Sequence, residues 1–181
     1  MDSFADLWSA PQPSEAPVDQ CDDSGLLDLG GIRVPMIPGM QLTALSDTKG
    51  DISAFEFLIS TASVQVSAYA APRSGNLWRD SLPELTENLE AEGYRVEQLP
   101  KLRGLYAETD RARPLLIVGY LSDRWLLRAI FTDAAAQSAA AREPLLDFIG
   151  GIEVVRGQEA MPPGALIPLR LPANMDEEAR E

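Results

Sequence analysis

The pattern of hydrophobic and polar residues is clearest between residues 62 and 93, where a strand pattern gives way to a helix pattern. From Val64 to Ala70, apolar residues recur at every second position, the period of a strand with one buried face. After a predicted Arg-Ser-Gly turn, four large apolar residues recur at the spacing of one helix face: Trp78, Leu82, Leu85 and Leu89. This stretch therefore predicts a strand, a tight turn and an amphipathic helix that ends near Gly93.

The start of this helix is open between two positions. Ser81 followed by Glu84 fits a capping box, which would start the helix near Ser81 and place Pro83 in its first turn. A start near Asn76 would put Pro83 inside the helix, where the ring removes a hydrogen bond. We expect a loose first turn or a kink at this point.

The remaining apolar runs predict a sheet and a second helix. We expect strands, in meander order, at Gln41–Ser46, Ile52–Ser60, Ser63–Ala71, Arg95–Leu99, Gly104–Thr109, Pro114–Leu121 and Arg124–Thr132. The Ala-rich residues 133–142 would begin a second helix that restarts at Pro144. Residues 26–40 are predicted to be an extended lead-in across the edge of the sheet, and IEVVRG, from Ile152, to be a further short strand.

These elements give an α+β fold, an antiparallel sheet of about six or seven strands with two helices packed on it. A single domain is expected at residues 29–172, since 181 residues suffice for one hydrophobic core. Residues 1–28 are acidic and interrupted by prolines, so we expect a disordered tail that cannot fold alone. Residues 173–181 form a second acidic tail.

The net charge of -13 lies mainly outside the predicted domain, with -7 in residues 1–30 and -3 in residues 172–181. An acidic chain repels phosphate backbones, which argues against direct binding of nucleic acids. No apolar run is long enough for a membrane helix, and the N-terminus lacks the features of a signal peptide. With Cys21 as the single cysteine, no internal disulfide can form, so we expect a cytoplasmic protein.

The residue types present leave little catalytic chemistry. The chain has no histidine, which removes the commonest general base and metal ligand. A single cysteine excludes a cysteine-based zinc site, and no phosphate-binding glycine motif occurs. We therefore expect a protein that is not an enzyme and that holds no metal or cofactor.

Two groups of residues are candidates for binding. Arg73, Ser74 and Gly75 precede the first helix, where an arginine and helix N-terminal amides could hold an anion, and Trp78 lies beside them. Arg128 lies among apolar residues in WLLRAIF, where an arginine usually pairs with a carboxylate or lies under a helix end. These arginines therefore have a structural interpretation, bracing the turn or capping carbonyls, beside the interpretation as an anion or partner site.

The second group is a short motif in the N-terminal tail. Phe4, Leu7 and Trp8 would line one side of a helical turn in an acidic context, as in acidic peptides that dock into grooves of other proteins. The alternative is that these side chains pack onto the protein's own core.

Five segments, DLGGIRVPMIPGM, YAAPRSGNLWRD, DRWLLRAIF, VVRGQEAMPPG and IPLRLP, resemble an actinobacterial domain-of-unknown-function family. The resemblance extends from Leu26 to Pro172, and AAPRSGNLW is its most specific part. It implies a cytoplasmic protein without an assigned activity. The order of elements is similar to that of PsbP-like domains, most of which bind other proteins, although such a likeness concerns the fold alone.

The leading hypothesis is a non-enzymatic protein-interaction domain, an adaptor or assembly factor with an unidentified protein partner. The alternative is a small-molecule binding domain for an anionic ligand near Arg73, which a pocket lined by Trp78, Tyr106 and Arg128 would favour. An enzyme of nucleotide metabolism ranks third. An edge strand at residues 41–46 would also allow a homo-oligomer through the sheet edge.

Overall fold

The computed structural model describes residues 4–17 and 25–172, and within these the side chain of Trp8 is not described. Its helices are α1 (Asp6–Ser9), α2 (Leu77–Ala91), α3 (Ala134–Gln137) and α4 (Ala139–Gly150). Its strands are β1 (Ser14–Glu15), β2 (Leu26–Asp28), β3 (Ile32–Pro35), β4 (Gln41–Ser46), β5 (Ile52–Ile59), β6 (Ala62–Ala70), β7 (Arg95–Leu99), β8 (Gly104–Thr109), β9 (Ala112–Leu121), β10 (Trp125–Thr132) and β11 (Glu153–Val154). The α+β class is therefore confirmed.

The main sheet has seven strands in the order β4-β5-β6-β10-β9-β8-β7, and all of its neighbouring strands are antiparallel. The predicted strands are present with small shifts at their ends. The predicted continuous meander is not what the structure has, because β6 pairs with β10, from Val64 opposite Phe131 to Ala70 opposite Trp125. Two meanders thus meet at their long, apolar strands, which places the most hydrophobic strands at the centre of the sheet.

A second, four-stranded sheet in the order β1-β11-β3-β2 was not predicted. The extended lead-in forms its strands β2 and β3 instead of lying across the edge of the main sheet. Its strands are two to four residues long, too short for a periodic signal in the sequence. Residues 164–170 bridge the two sheets, since Ile167 donates to the carbonyl of Ala68 and Gly31 donates to the carbonyl of Pro168.

The two faces of the main sheet are covered by different elements. One face buries Phe55, Phe57 and Phe131 against α4 and the small sheet, and the ring centroids of Phe57 and Phe148 lie 4.7 Å apart. The other face packs against α2 through a smaller cluster that contains Trp78 and Leu89. The three-layer arrangement leaves α2 as the only long helix on its face within the described residues.

The predicted second helix breaks at a different residue. The break between α3 and α4 lies at Ser138, whose Oγ accepts a hydrogen bond from the amide of Ala141. Pro144 lies inside α4 and does not restart the helix. A serine N-cap satisfies an amide that the helix itself leaves without a partner, which explains why the new helix begins there.

The N-terminal boundary of the domain also differs from the prediction. Residues 4–17, assigned to a tail ending at residue 28, form α1 and β1 on the domain, and β1 runs parallel to β11. The composition that cannot fold alone is ordered here by packing against the rest of the chain. The remainder of that tail, residues 18–24, and the C-terminal tail from residue 173 lie outside the described residues.

Candidate functional site

The first turn of α2 sets the position of Trp78. Asn76, not Ser81, caps the helix, because its side chain accepts a hydrogen bond of 3.0 Å from the amide of Arg79. The Ser81 hydroxyl donates instead to the carbonyl of Trp78 at 2.9 Å. The helix thus starts at the earlier of the two predicted positions, with Pro83 in its interior and Trp78 in its first turn.

Trp78 lies flat against β9 because the opposing residue is a glycine. A Cβ atom at Gly119 would lie 2.5 Å from Cε3 of the indole, far inside van der Waals contact. The ring is 4% exposed and closes one end of the space between α2 and the sheet. Any larger residue at position 119 would push the indole away from the sheet.

Arg128 lies on β10 on the face of the sheet that is covered by α2. Its guanidinium carbon lies 5.0 Å from the centroid of the Tyr69 ring on β6, a cation-π geometry. Its Nε is shielded from solvent and makes no hydrogen bond within the described residues, and no carboxylate there forms an ion pair with it. Within the described residues, Arg128 therefore contacts an aromatic ring but lacks the carboxylate with which an arginine among apolar residues usually pairs.

A cavity of about 350 Å³ separates these residues from α2; we call it the α2 cavity. It is lined by Tyr69, Leu77, Trp78, Asp80, Ser81, Glu84, Leu126, Arg128 and Gly164. The sheet contributes the arginine and an aromatic ring, and the helix contributes two carboxylates, of which Asp80 is largely exposed. The volume is near the lower end of the range for small-molecule sites, and the lining combines apolar area with a few polar groups.

Of the five predicted anion-site residues, the structure brings two together. Trp78 and Arg128 both line the α2 cavity. Arg73, Ser74 and Gly75 are exposed in the preceding turn and do not line it. The turn allows φ of +104° at Gly75, a conformation that favours glycine, so this residue has a backbone role.

Tyr106, predicted to share the pocket with Trp78 and Arg128, lies on the opposite face of the sheet. It pairs across β8 and β9 with Leu116, a residue of the larger core, and its ring centroid lies 5.7 Å from that of Phe4. A shift of one residue along a strand changes the face, and the sequence pattern did not fix the face of β8.

The predicted docking residues of the N-terminus contact the protein itself. Leu7 is 3% exposed and belongs to the larger core, and Phe4 packs against Tyr106. The side chain of Trp8 lies outside the described residues. For Phe4 and Leu7, the structure has the alternative arrangement, in which they pack onto the protein's own core.

An ion pair that the sequence analysis missed holds this segment. The guanidinium of Arg142 on α4 is fully buried and donates to both carboxylate oxygens of Asp6, at 2.8 and 3.0 Å, and to the carbonyl of Ala135. The available signal was an arginine in an Ala-rich helix, AAAREP, next to the apolar residues that pack that helix. Burial raises the pKa of nearby Tyr120 and the charge of Asp6 raises it further, against a smaller lowering by Arg142, so its hydroxyl stays protonated at pH values at which an exposed tyrosine ionises.

A second cavity, which we call the basic groove, lies at the other side of the α2 N-terminus. It has a volume of about 520 Å³ and is lined by Arg79, Lys101 and Arg103 without any carboxylate. All three cationic residues are exposed, so the charge of the groove is solvated. Water can therefore hydrate these three charges when no ligand is bound, whereas the shielded Nε of Arg128 is out of reach of solvent.

Among the described residues, no three acidic or cysteine side chains form a group that could hold a metal ion, and none of the helices is long and apolar enough to cross a membrane.

Residues 13–178 match the model of a family described as "Protein of unknown function (DUF3710)". A comparison with curated proteins gave no match. One solved structure, a protein from Bacteroides thetaiotaomicron VPI-5482, is similar to this chain with 15% sequence identity and a TM-score of 0.40. The match covers 75% of this chain and 50% of the Bacteroides chain, so this chain spans about half the length of that protein.

Proposed function

The chain belongs to the DUF3710 family, and we propose that this member is a non-catalytic domain that binds a small molecule through an anionic group in the α2 cavity. The observation that carries the proposal is Arg128, a half-buried arginine that lines a cavity and whose shielded Nε has no hydrogen-bond partner among the described residues. A polar group left without a hydrogen bond in such a place costs about 1–3 kcal/mol, which a ligand acceptor would recover.

The lining also restricts the ligand. Tyr69, Trp78 and Leu126 offer apolar and aromatic surface, which favours a ligand with a flat apolar body. Asp80 and Glu84 on the helix side repel a second negative charge near the opening. The cavity therefore fits an aromatic or branched carboxylate with a net charge of -1 or a zwitterion, rather than a polyphosphate.

The test is a titration of the full-length protein with benzoate, 3-phenylpropionate, L-phenylalanine and phenyl phosphate, followed by tryptophan fluorescence and isothermal calorimetry. We expect saturable binding of at least one carboxylate. Arg128→Met keeps the length of the side chain and removes the charge, and it should weaken binding by about 10- to 150-fold, since a hydrogen bond to a charged group contributes about 1.5–3 kcal/mol.

The matched control is Arg103→Met, which removes a cation from the basic groove and not from the α2 cavity. Binding should be unchanged in this variant. If no probe binds at millimolar concentration, or if Arg128→Met binds the probes as well as the wild type does, the ligand proposal for the α2 cavity is wrong.

Protein interaction remains a second proposal. The docking-peptide argument for it is weaker, because Phe4 and Leu7 pack onto the protein's own core. A different observation supports it: β4 lies at an edge of the main sheet and carries no charged residue.

A further inference from the structure

The two edges of the main sheet differ in their protection against pairing. At one edge β7 carries Arg95 and Glu97, and Arg95 forms an ion pair of 2.8 Å with Glu108. At the other edge β4 has the sequence QLTALS, with neither a charge nor a proline. Proteins usually protect exposed edges with charges, prolines or covering elements, and an edge without them is a template for another strand.

In the part of the chain that the structure describes, no strand pairs with the outer side of β4. Within the described residues, β5 is the only strand that pairs with β4, and Gln41, Thr43 and Ser46 are exposed. The inward-facing residues Leu42 and Ala44 pack against the larger core, so the strand is held in an extended conformation before any partner arrives. Preorganisation of this kind lowers the entropy cost of adding a strand.

The charge distribution makes β4 a place where a second copy of the same chain can be that partner, because this strand carries no charge. With a net charge of -13, two copies repel each other wherever their acidic surfaces meet. On β4 this repulsion is absent, and the nearest acidic residue in the paired positions is Glu56, opposite Thr43 on β5. Across a paired edge the two Glu56 side chains would be three strand spacings apart, about 14 Å, beyond the Debye length of about 8 Å at physiological salt.

The register follows from an irregularity in the β4–β5 ladder. Regular pairing runs from Gln41 to Leu45 and shifts between Leu45 and Ser46. The middle of this regular stretch is Thr43, and a twofold axis there places Leu42 of one copy opposite Ala44 of the other. Both residues lie on the core face, so this register continues the apolar face from one copy to the next.

We propose that β4 pairs antiparallel with β4 of a second copy about a twofold axis at Thr43, which joins the two seven-stranded sheets into one. The contact is isologous, because the same residues serve on both sides, and it therefore closes at a dimer instead of forming a filament. This dimer does not depend on ligand binding in the α2 cavity.

The test uses a covalent readout of the register. In a Cys21→Ser background, Thr43→Cys places two thiols opposite each other at the twofold axis, and we expect a disulfide-linked dimer under mild oxidation. The control is Gln98→Cys, an exposed position on the charged edge strand β7, which should remain monomeric on the same gel. Equal cross-linking of both variants at matched concentrations would overturn the proposed register.

The second measurement is sedimentation velocity of the full-length protein at physiological salt. We expect the wild type to sediment as a dimer at micromolar concentration. Thr43→Lys, which sets two like charges face to face, should raise the dimer dissociation constant by about tenfold or more, whereas Gln98→Lys should not change it. A wild type that stays monomeric at about 100 μM, or a dimer whose dissociation constant is unaffected by Thr43→Lys, would overturn the proposal. A different protein would then be the partner to test at this edge.

Discussion

Removing the carboxylate of Asp6 should destabilise the whole domain, although this residue lies only six positions from the N-terminus. Arg142 is fully buried, and Asp6, whose side chain is 22% exposed, supplies both oxygens of its ion pair. In Asp6→Ala the guanidinium keeps its hydrogen bonds to the carbonyls of Ala135 and Ala136 but loses the carboxylate that accepts from its Nε and Nη2.

The magnitude follows from what remains around the arginine. Breaking a buried ion pair from one side typically costs about 3–5 kcal/mol, because the remaining charge is buried and uncompensated. The partial exposure of Asp6 and the two remaining carbonyl contacts place the expected loss near the lower end, about 3 kcal/mol. For a chain of this size, that loss corresponds to a decrease in Tm of roughly 6–12 °C.

The assay is urea unfolding followed by far-ultraviolet circular dichroism, together with a thermal melt. The matched control is Asp147→Asn, which removes an exposed acidic charge from the same helix α4 and should change the free energy of unfolding by less than about 0.5 kcal/mol. The double variant Asp6→Ala/Arg142→Met should recover part of the loss, since replacing both partners leaves no buried charge. A loss below about 1 kcal/mol in Asp6→Ala, or an equal loss in the control, would refute the argument that this pair fastens the N-terminal segment.

Two further predictions concern the centre of the sheet. Gly119→Ala places a methyl group 2.5 Å from the Trp78 ring, so we expect a loss of about 1–3 kcal/mol and a shifted tryptophan emission spectrum; an unchanged spectrum would show that the indole does not rest on position 119. Because the pKa of Tyr120 is raised in the folded state above its ordinary value of 10.0, the unfolded chain loses this proton first, so stability is unaffected below pH 10 and falls as the pH rises above it. Urea unfolding at pH 8.5 and about pH 11 should show a smaller decrease for Tyr120→Phe than for the wild type, and equal decreases would contradict the burial argument.

The sequence predicted the elements that have a strong period and missed those that depend on contacts. All seven strands of the main sheet were placed, since each has enough alternating or apolar residues to show its period. The small sheet was missed because β1 and β11 have two residues each and exist only through their pairing with each other and with β3. The order of the main sheet was missed for a similar reason, because the pairing of β6 with β10 joins residues about sixty positions apart.

The residues of the candidate site also fall into two groups: those that the sequence identified and those whose place depends on contacts between distant elements. Trp78 and Arg128 were identified from their unusual settings in the sequence, and the structure brings them to one cavity. Tyr69 and Glu84 could not be connected to them, because that connection needs the pairing of β6 with β10 and the rotation of α2. Arg73 has the right chemistry in a turn that does not reach the cavity, which shows that proximity in sequence is a weak guide to a site shared by several elements.

The buried arginine and the half-buried arginine also distinguish structural from functional charge in this protein. Arg142 has a bidentate carboxylate and backbone carbonyls, so its charge is satisfied by the chain itself and its role is to fasten α1 to α4. Arg128 is stacked on Tyr69, with a shielded Nε that no group among the described residues accepts from. If both were structural, Arg128→Met should destabilise the protein without affecting any ligand, as we expect for Arg142→Met. If Arg128 serves a ligand, its replacement should leave the free energy of unfolding nearly unchanged or raise it, since an unpaired charge near the core is removed, and only the binding of the carboxylate probes should be lost.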